Sequence, residues 1–217
     1  MLVDLIVAGR NAAVVGGDDE AELKSLKLLD SGARVTVIAE AFGAGLVRLG
    51  SSKKVNLVRT QLAGRSLKPI LERLMPFVVF VSTGNETLDR SVAKTARSTG
   101  AIVCVVDRPS LNDFNMPAVA KVGKNVRVAI STQGMSPAMA SVLRKRVEKL
   151  ITREDLLQIK LQGHLREASK KWLGDPASRR EFAYRIINDE GIKELLRRDK
   201  YAEASRLAMK MLLLEAR

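Results

Sequence analysis

Five short runs rich in Val and Ile, at 12–15, 35–39, 55–58, 77–82 and 102–106, are separated by segments whose apolar residues follow helical spacing. Runs that are apolar at nearly every position suit strands covered on both faces, and parallel strands need crossover helices of the length found between them. In the first intervening segment Ala21, Leu23, Leu26, Leu28 and Leu29 form the helical pattern and Ser31-Gly32 closes it. Further segments run over 41–49, 67–74 and 86–99, the last stopped by Gly100. The alternation predicts an α/β fold, a Rossmann-like doubly wound parallel sheet.

Past residue 106 the pattern changes. The stretch "DRPSLNDFNMP" holds two prolines, two asparagines and two aspartates and reads as a long loop. Runs at 118–122 and 126–131, separated by Gly123-Lys124-Asn125, predict a β-hairpin. Ser136-Pro137, a hydroxyl cap followed by proline, opens a helix to about Leu150. From Ile151 onward only helices are visible, broken near Gly174-Asp175-Pro176 and over 188–191. The expected organisation is an α/β domain over 1–110, a hairpin-plus-helix segment over 111–150 and a small all-α domain over 151–217.

Composition narrows the partners. Apolar residues make up 46% of the 217 and aromatics only 4%, so the core must be built from Val, Leu, Ile and Ala. The single cysteine, Cys104, lies inside an apolar run and reads as a buried thiol, which leaves no disulfide framework. The single histidine, His164, falls among polar residues of the helical tail and reads as a helix-surface residue, so no spaced metal-ligand cluster is expected. No apolar stretch reaches 18 residues and the start lacks a secretory leader, so the expectation is a cytoplasmic protein without a membrane span. Net charge is +13, and residues 51–150 hold seventeen bases against six acids, which calls for a polyanionic partner. Nucleic acid fits poorly: "LRKRVEKL" and "REASKKWL" mix bases with acids and apolar positions like ordinary amphipathic helices, and aromatics for base stacking are scarce.

The stretch "VVGGDDEAEL", residues 14–23, is a strand-to-helix turn. Glycines in such a turn let the backbone approach a pyrophosphate, and the free N–H groups of the following helix attract the anion. With Gly16 on the first glycine of the dinucleotide fingerprint and Ala21 on its last small residue, Asp18 falls on the glycine that permits closest approach. Two readings stay open: a cofactor turn, or a plain turn whose Asp18 or Asp19 caps a helix. Glu40, 24 residues after Gly16 at the end of the second run, stands where an acid accepts from an adenine ribose and repels a 2′-phosphate, or it is a solvated acid before a helix. Asp107 follows the fifth run and precedes Arg108-Pro109, at the sheet edge where such folds bind ligands; a turn-forming aspartate before proline is its plainer reading.

Four stretches in order resemble one family: "VVGGDDEAELKSLKLLDSGARVTVIA", "VFVSTGNETLDRSVAKTA", "VVDRPSLNDFNMPAV" and "VAISTQGMSPAMASVLRKRVE". The chain is similar to the precorrin-2 dehydrogenases, the amino-terminal modules of siroheme synthases, some of which also chelate iron into sirohydrochlorin. The resemblance implies an NAD-binding domain, a central segment forming a homodimer and a helical domain covering a tetrapyrrole groove. It implies that NAD takes a hydride from precorrin-2 to give sirohydrochlorin, with ferrous or cobaltous ion as substrate of a second, chelating activity. By position, Gly16, Gly17, Asp19 and Glu20 would lie by the pyrophosphate, Glu40 and Ala41 by the adenosine, and Thr83 and Gly84 at the end of the fourth strand. Asp107 matches the catalytic aspartate. Ser131 matches a serine phosphorylated in some siroheme synthases and is either a site-facing hydroxyl or a turn serine; Asn115 and Met116 would line the groove or the dimer contact. The eight carboxylates of precorrin-2 answer the basic segment, with Arg90, Lys94, Arg97, Arg108, Lys121, Lys124 and Arg127 as candidates.

One departure stands out. The family shows three glycines where this chain has Gly16-Gly17-Asp18. An inward Asp18 would oppose the phosphates by roughly 1 to 4 kcal/mol at surface-like dielectric, so the side chain is expected to turn out to solvent. A non-catalytic dinucleotide-binding redox sensor with a degenerate turn is the alternative.

Overall fold

The computed structural model describes residues 2–63 and 66–215. It divides into two compact units, Met1–Met116 and Pro117–Arg217. In the first, strands β1 (Asn11–Val15), β2 (Arg34–Ala39), β3 (Asn56–Arg59), β4 (Val78–Val81) and β5 (Ile102–Val105) form one parallel sheet in the order β3-β2-β1-β4-β5. Crossover helices α1 (Asp19–Asp30), α2 (Ala44–Ser51), α3 (Leu67–Leu74) and α4 (Glu86–Ser98) follow the first four strands. This is the doubly wound sheet that the alternation predicts. Two apolar clusters, one holding Val14, Val37 and Phe80 and the other Val15, Ile38 and Val103, cover its two faces, which is why the strands are apolar at consecutive positions.

The helical stripe of α1 differs from the sequence reading. Ala21, Ser25 and Leu28 are the buried positions, while Leu23 and Leu26 are 49% and 41% exposed. The smaller residues win because the helix lies close to the sheet, and the buried Ser25 satisfies its hydroxyl on the Ala21 carbonyl at 2.7 Å.

The loop after β5 is less free than its composition suggests. Asn112 Oδ1 accepts from the Val105 N–H at 2.6 Å and Asp113 Oδ2 from the Val103 N–H at 2.8 Å, while the Asp113 N–H donates to the Val103 carbonyl at 2.9 Å. Arg97 of α4 holds Asp113 at 2.9 Å. The loop, with a 3-10 turn at Pro109–Leu111, thereby covers the edge of β5 and meets its free backbone groups.

In the second unit, β6 (Ala118–Val122) and β7 (Val126–Ile130) form the antiparallel hairpin, with α5 (Pro137–Leu150) packed on both strands. Helices α6 (Arg153–Trp172), α7 (Pro176–Asn188), α8 (Glu190–Arg197) and α9 (Tyr201–Glu215) enclose a core of Leu157, Leu161, Leu165, Phe182, Ile186, Ile192, Leu196 and Leu212. Thr152 and Asp155 make a capping box at the start of α6, and Asp175 and Asp189 cap α7 and α8. A third break, which the sequence reading does not place, falls at Asp199, whose φ of +58° separates α8 from α9. Among the described residues, no helix is long and apolar enough to cross a membrane.

Candidate dinucleotide site

The strand order reverses between β1 and β4, and in doubly wound sheets ligands bind at the carboxyl ends of the strands flanking that point. β1 ends there in Gly16 and Gly17. Gly16 has φ +143°, and a Cβ on it would sit 1.9 Å from the Ser82 carbonyl oxygen at the end of β4. A Cβ on Gly17 would sit 1.8 Å from the Ala41 carbonyl oxygen, beyond the end of β2. The Gly43 N–H donates to the Gly17 carbonyl at 2.8 Å. Both glycines are therefore demanded by the protein's own backbone, which draws the ends of β1, β2 and β4 into one crevice.

The Asp18 carboxylate is engaged by the protein as well as by solvent. Its residue is exposed, yet its Oδ1 accepts from the Ala21 N–H at 2.8 Å, and the Ser82 hydroxyl donates to its two carboxylate oxygens at 3.3 and 3.2 Å. The physical reason is local: the first N–H groups of α1 have no intrahelical partner, the helix dipole favours an anion there, and the nearly buried Ser82 supplies a second donor. Asp19, Glu20 and Glu22 follow in the first turn, with Glu20 paired to Lys24 at 2.6 Å. The plain-turn reading with Asp18 as cap thus describes the geometry, in a turn whose backbone also has the form a pyrophosphate needs.

Glu40 and Ala41 are exposed at the end of β2, and Glu40 Oε1 accepts from the Leu62 N–H at 3.1 Å, while its second oxygen has no hydrogen-bond partner among the described residues. At the end of β4, the Thr83 N–H and Oγ1 donate to Asp89 Oδ1 at 3.2 and 2.7 Å, and Gly84 takes φ +72°. Asp89 lies on α4 and is only 3% exposed; its other oxygen accepts from Arg108 Nε at 3.0 Å. Arg108 also reaches Glu86 at 3.4 Å, and hydrogen bonding from Arg90 together with the Arg108 charge holds the Glu86 carboxyl below the usual range.

Asp107 stands between β5 and that anchored arginine. It is exposed, has φ +60°, and its carboxylate has no hydrogen bond or ion pair among the described residues. Left-handed backbone is uncommon outside glycine, although aspartate tolerates it better than most. The Asp89–Arg108 pair fixes the next residue and so holds the strained position in place.

Four strand ends thus bring Gly16, Gly17, Asp19, Glu20, Glu40, Ala41, Thr83, Gly84 and Asp107 to one edge of the sheet. Asn115, which accepts from Asn112 Nδ2 at 3.0 Å, and the exposed Met116 lie on the loop that covers β5. Ser131 belongs to the second unit, where its Oγ accepts from the Gln133 N–H at 3.2 Å as a turn serine does. Of the candidate bases, Arg90, Arg97 and Arg108 are engaged by acids. Cys104 is buried, which pushes its thiol pKa up, and His164 is exposed on α6. The residues that sequence reasoning missed are Ser82 and Asp89. Asp89 carried a signal, since it shares the inward stripe of α4 with Val92, Ala93 and Ala96, where an acid must have partners.

A doubly wound sheet with a glycine turn at its switch point and acids closing β2 and β5 defines the NAD(P)-binding class, and residues 3–118 match the family described as "Putative NAD(P)-binding". The chain is 31% identical over 193 residues to a precorrin-2 dehydrogenase of Methanosarcina barkeri, covering 88% of this chain and 84% of that protein. It is 31% identical to a siroheme synthase of Shigella flexneri over 89% of this chain and 41% of that one, and 29% identical to siroheme synthase 1 of Aeromonas salmonicida over 90% and 40%. The chain spans about 40% of the length of the siroheme synthases it matches. A solved structure titled SirC, precorrin-2 dehydrogenase, shares the fold with a TM-score of 0.74 at 21% identity, over 97% of this chain and 99% of that one. The chain belongs to the precorrin-2 dehydrogenase family.

Proposed function

We propose that the chain dehydrogenates precorrin-2 to sirohydrochlorin with NAD. The observation that carries the reading is the unpartnered Asp107 carboxylate on the same sheet edge as the glycine turn. NAD, when bound, supplies the hydride acceptor of this two-electron oxidation. The turn fits the cofactor in shape: Gly16 and Gly17 keep it tight, and the N–H groups of Asp19 and Glu20 begin α1 without intrahelical partners. In charge it fits except at Asp18. The second oxygen of Glu40 suits a ribose hydroxyl and repels a 2′-phosphate, which favours NAD over NADP.

The oxidation also releases a proton. Asp107, exposed and free of competing donors, accepts that proton from the substrate and passes it to water. The left-handed backbone, held by Arg108 and Asp89, keeps the carboxylate at the edge. In the first unit, Lys94 remains exposed and is proposed to receive a carboxylate of the substrate, with Asn115 and Met116 proposed to contact the macrocycle. The proposed homodimer has exposed apolar side chains in the central segment, at Met135, Met139, Val142 and Leu150.

The test is NADH and sirohydrochlorin absorbance on mixing pure protein, precorrin-2 and NAD. Asp107→Ala should slow turnover about 10²- to 10⁴-fold, the contribution of a positioned general base, with NADH binding retained. Unchanged turnover in that variant, or NADH binding without turnover by the unmodified protein, overturns the reading; the second outcome is that of a sensor. Repeating the mixture with Fe²⁺ or Co²⁺ tests chelation.

A further inference from the structure

We infer that Asp18 is an affinity-setting residue of the dinucleotide site: an internal anion occupying the place of the pyrophosphate, which the cofactor must displace in order to bind. The inference rests on the dinucleotide reading above. Three observations carry it. The carboxylate is engaged at the start of α1, on the Ala21 N–H at 2.8 Å, the donor position that a phosphate oxygen would use. It is also held by the Ser82 hydroxyl at 3.2 and 3.3 Å, so it links the end of β4 to the start of α1 at the switch point. The nearby cation of α1, Lys24, is paired with Glu20 at 2.6 Å and is not committed to Asp18.

A diphosphate entering this turn meets a charge of its own sign within a few ångströms. Two arrangements resolve the conflict. In one, the phosphate stands off the helix start and forgoes the Ala21 and Ser82 donors. In the other, Asp18 swings into water and the phosphate takes over both hydrogen bonds, at the expense of the cap. Either way the unmodified chain binds a phosphate-bearing ligand more weakly than the same turn with a neutral residue at position 18. Ligands without phosphate do not meet the carboxylate and are indifferent to it.

The experiment measures dissociation constants of NADH, ADP-ribose and adenosine by calorimetry and NADH fluorescence for the unmodified chain, Asp18→Asn, Asp18→Ser and Asp18→Gly. Asparagine and serine keep a side-chain cap, so melting curves of these two variants serve as a check that the turn still folds. NADH and ADP-ribose should bind about 5- to 1000-fold more tightly to the neutral variants, the range set by a like-charge contact near a protein surface. Adenosine affinity should not change, and the NADH gain should shrink in high salt. Equal NADH affinity in folded Asp18→Asn and the unmodified chain overturns the inference while leaving the dinucleotide site standing. Absence of NADH binding in all four proteins removes the site itself, and the inference with it.

Discussion

In the α/β unit, Ser82 and Asp89 are buried and bonded to other elements at the carboxyl edge of the sheet, whereas in the helical unit the buried Gln158 amide and one Glu215 oxygen have no hydrogen-bond partner among the described residues. Among the described residues, Ser25, Thr36, Ser82 and Asp89 are buried in the first, and Ser82 and Asp89 both stand at the carboxyl edge of the sheet. The second buries Ser169, whose hydroxyl donates to the Arg166 carbonyl within its own helix. Its ion pairs are largely between residues three or four apart, such as Lys170 with Glu167 and Lys193 with Glu190. The difference follows from the backbone. A helix satisfies its own N–H and C=O groups except at its ends, so a helical bundle can be held by apolar stripes alone. A parallel sheet gathers strand ends and helix starts along one edge, and side chains must complete the hydrogen bonding there. That edge is where chemistry can be placed.

The largest effect should come from breaking the helical unit where its apolar stripes meet. Phe182 is 1% exposed, and Phe182→Ala should cost about 3 to 5 kcal/mol, read as a lower urea midpoint of the helical signal. A smaller effect is expected at the sheet edge. Asp89→Asn should lose about 2 kcal/mol, less than a fully buried pair because Arg108 is partly solvated. It should also slow precorrin-2 turnover more than it weakens NADH binding, because it frees Arg108 next to Asp107; a change in NADH affinity alone would show that Asp89 serves only the β4 turn. The smallest effect belongs to the surface pairs. The hydrogen bond from Lys170 lowers the Glu167 pKa, so its contribution is present above the unfolded value and is lost as pH falls through the lowered one. Glu167→Gln should therefore melt with the parent at pH 7 within measurement error, and any small difference should vanish on acidification. A clear loss at neutral pH would mean that the helical unit, too, depends on particular charges.

Much of this architecture was legible in residue pattern. All five strands and the four crossover helices appear within a few residues of the expected positions, because burial on both faces leaves consecutive Val and Ile. Ser136-Pro137 opened α5 as its cap chemistry requires. Three features escaped. The buried stripe of α1 runs through Ala21 and Ser25 instead of Leu23 and Leu26, since close approach to the sheet favours small side chains. The break at Asp199 depends on a left-handed residue that is not glycine. The loop over β5 is ordered by Asn112 and Asp113, whose partners lie on a strand already passed.

The sequence by itself determined the alternation of strand and helix, the glycine turn after β1 and the aspartate after β5, because each is written in local spacing and local backbone preference. Tertiary structure alone decided that Asp18 faces Ser82, 64 residues away, and that Asp89 joins Thr83 to Arg108 beside Asp107. Such pairings depend on strand order and on which unsatisfied backbone groups the crossovers bring together. A single stretch of chain carries no record of either.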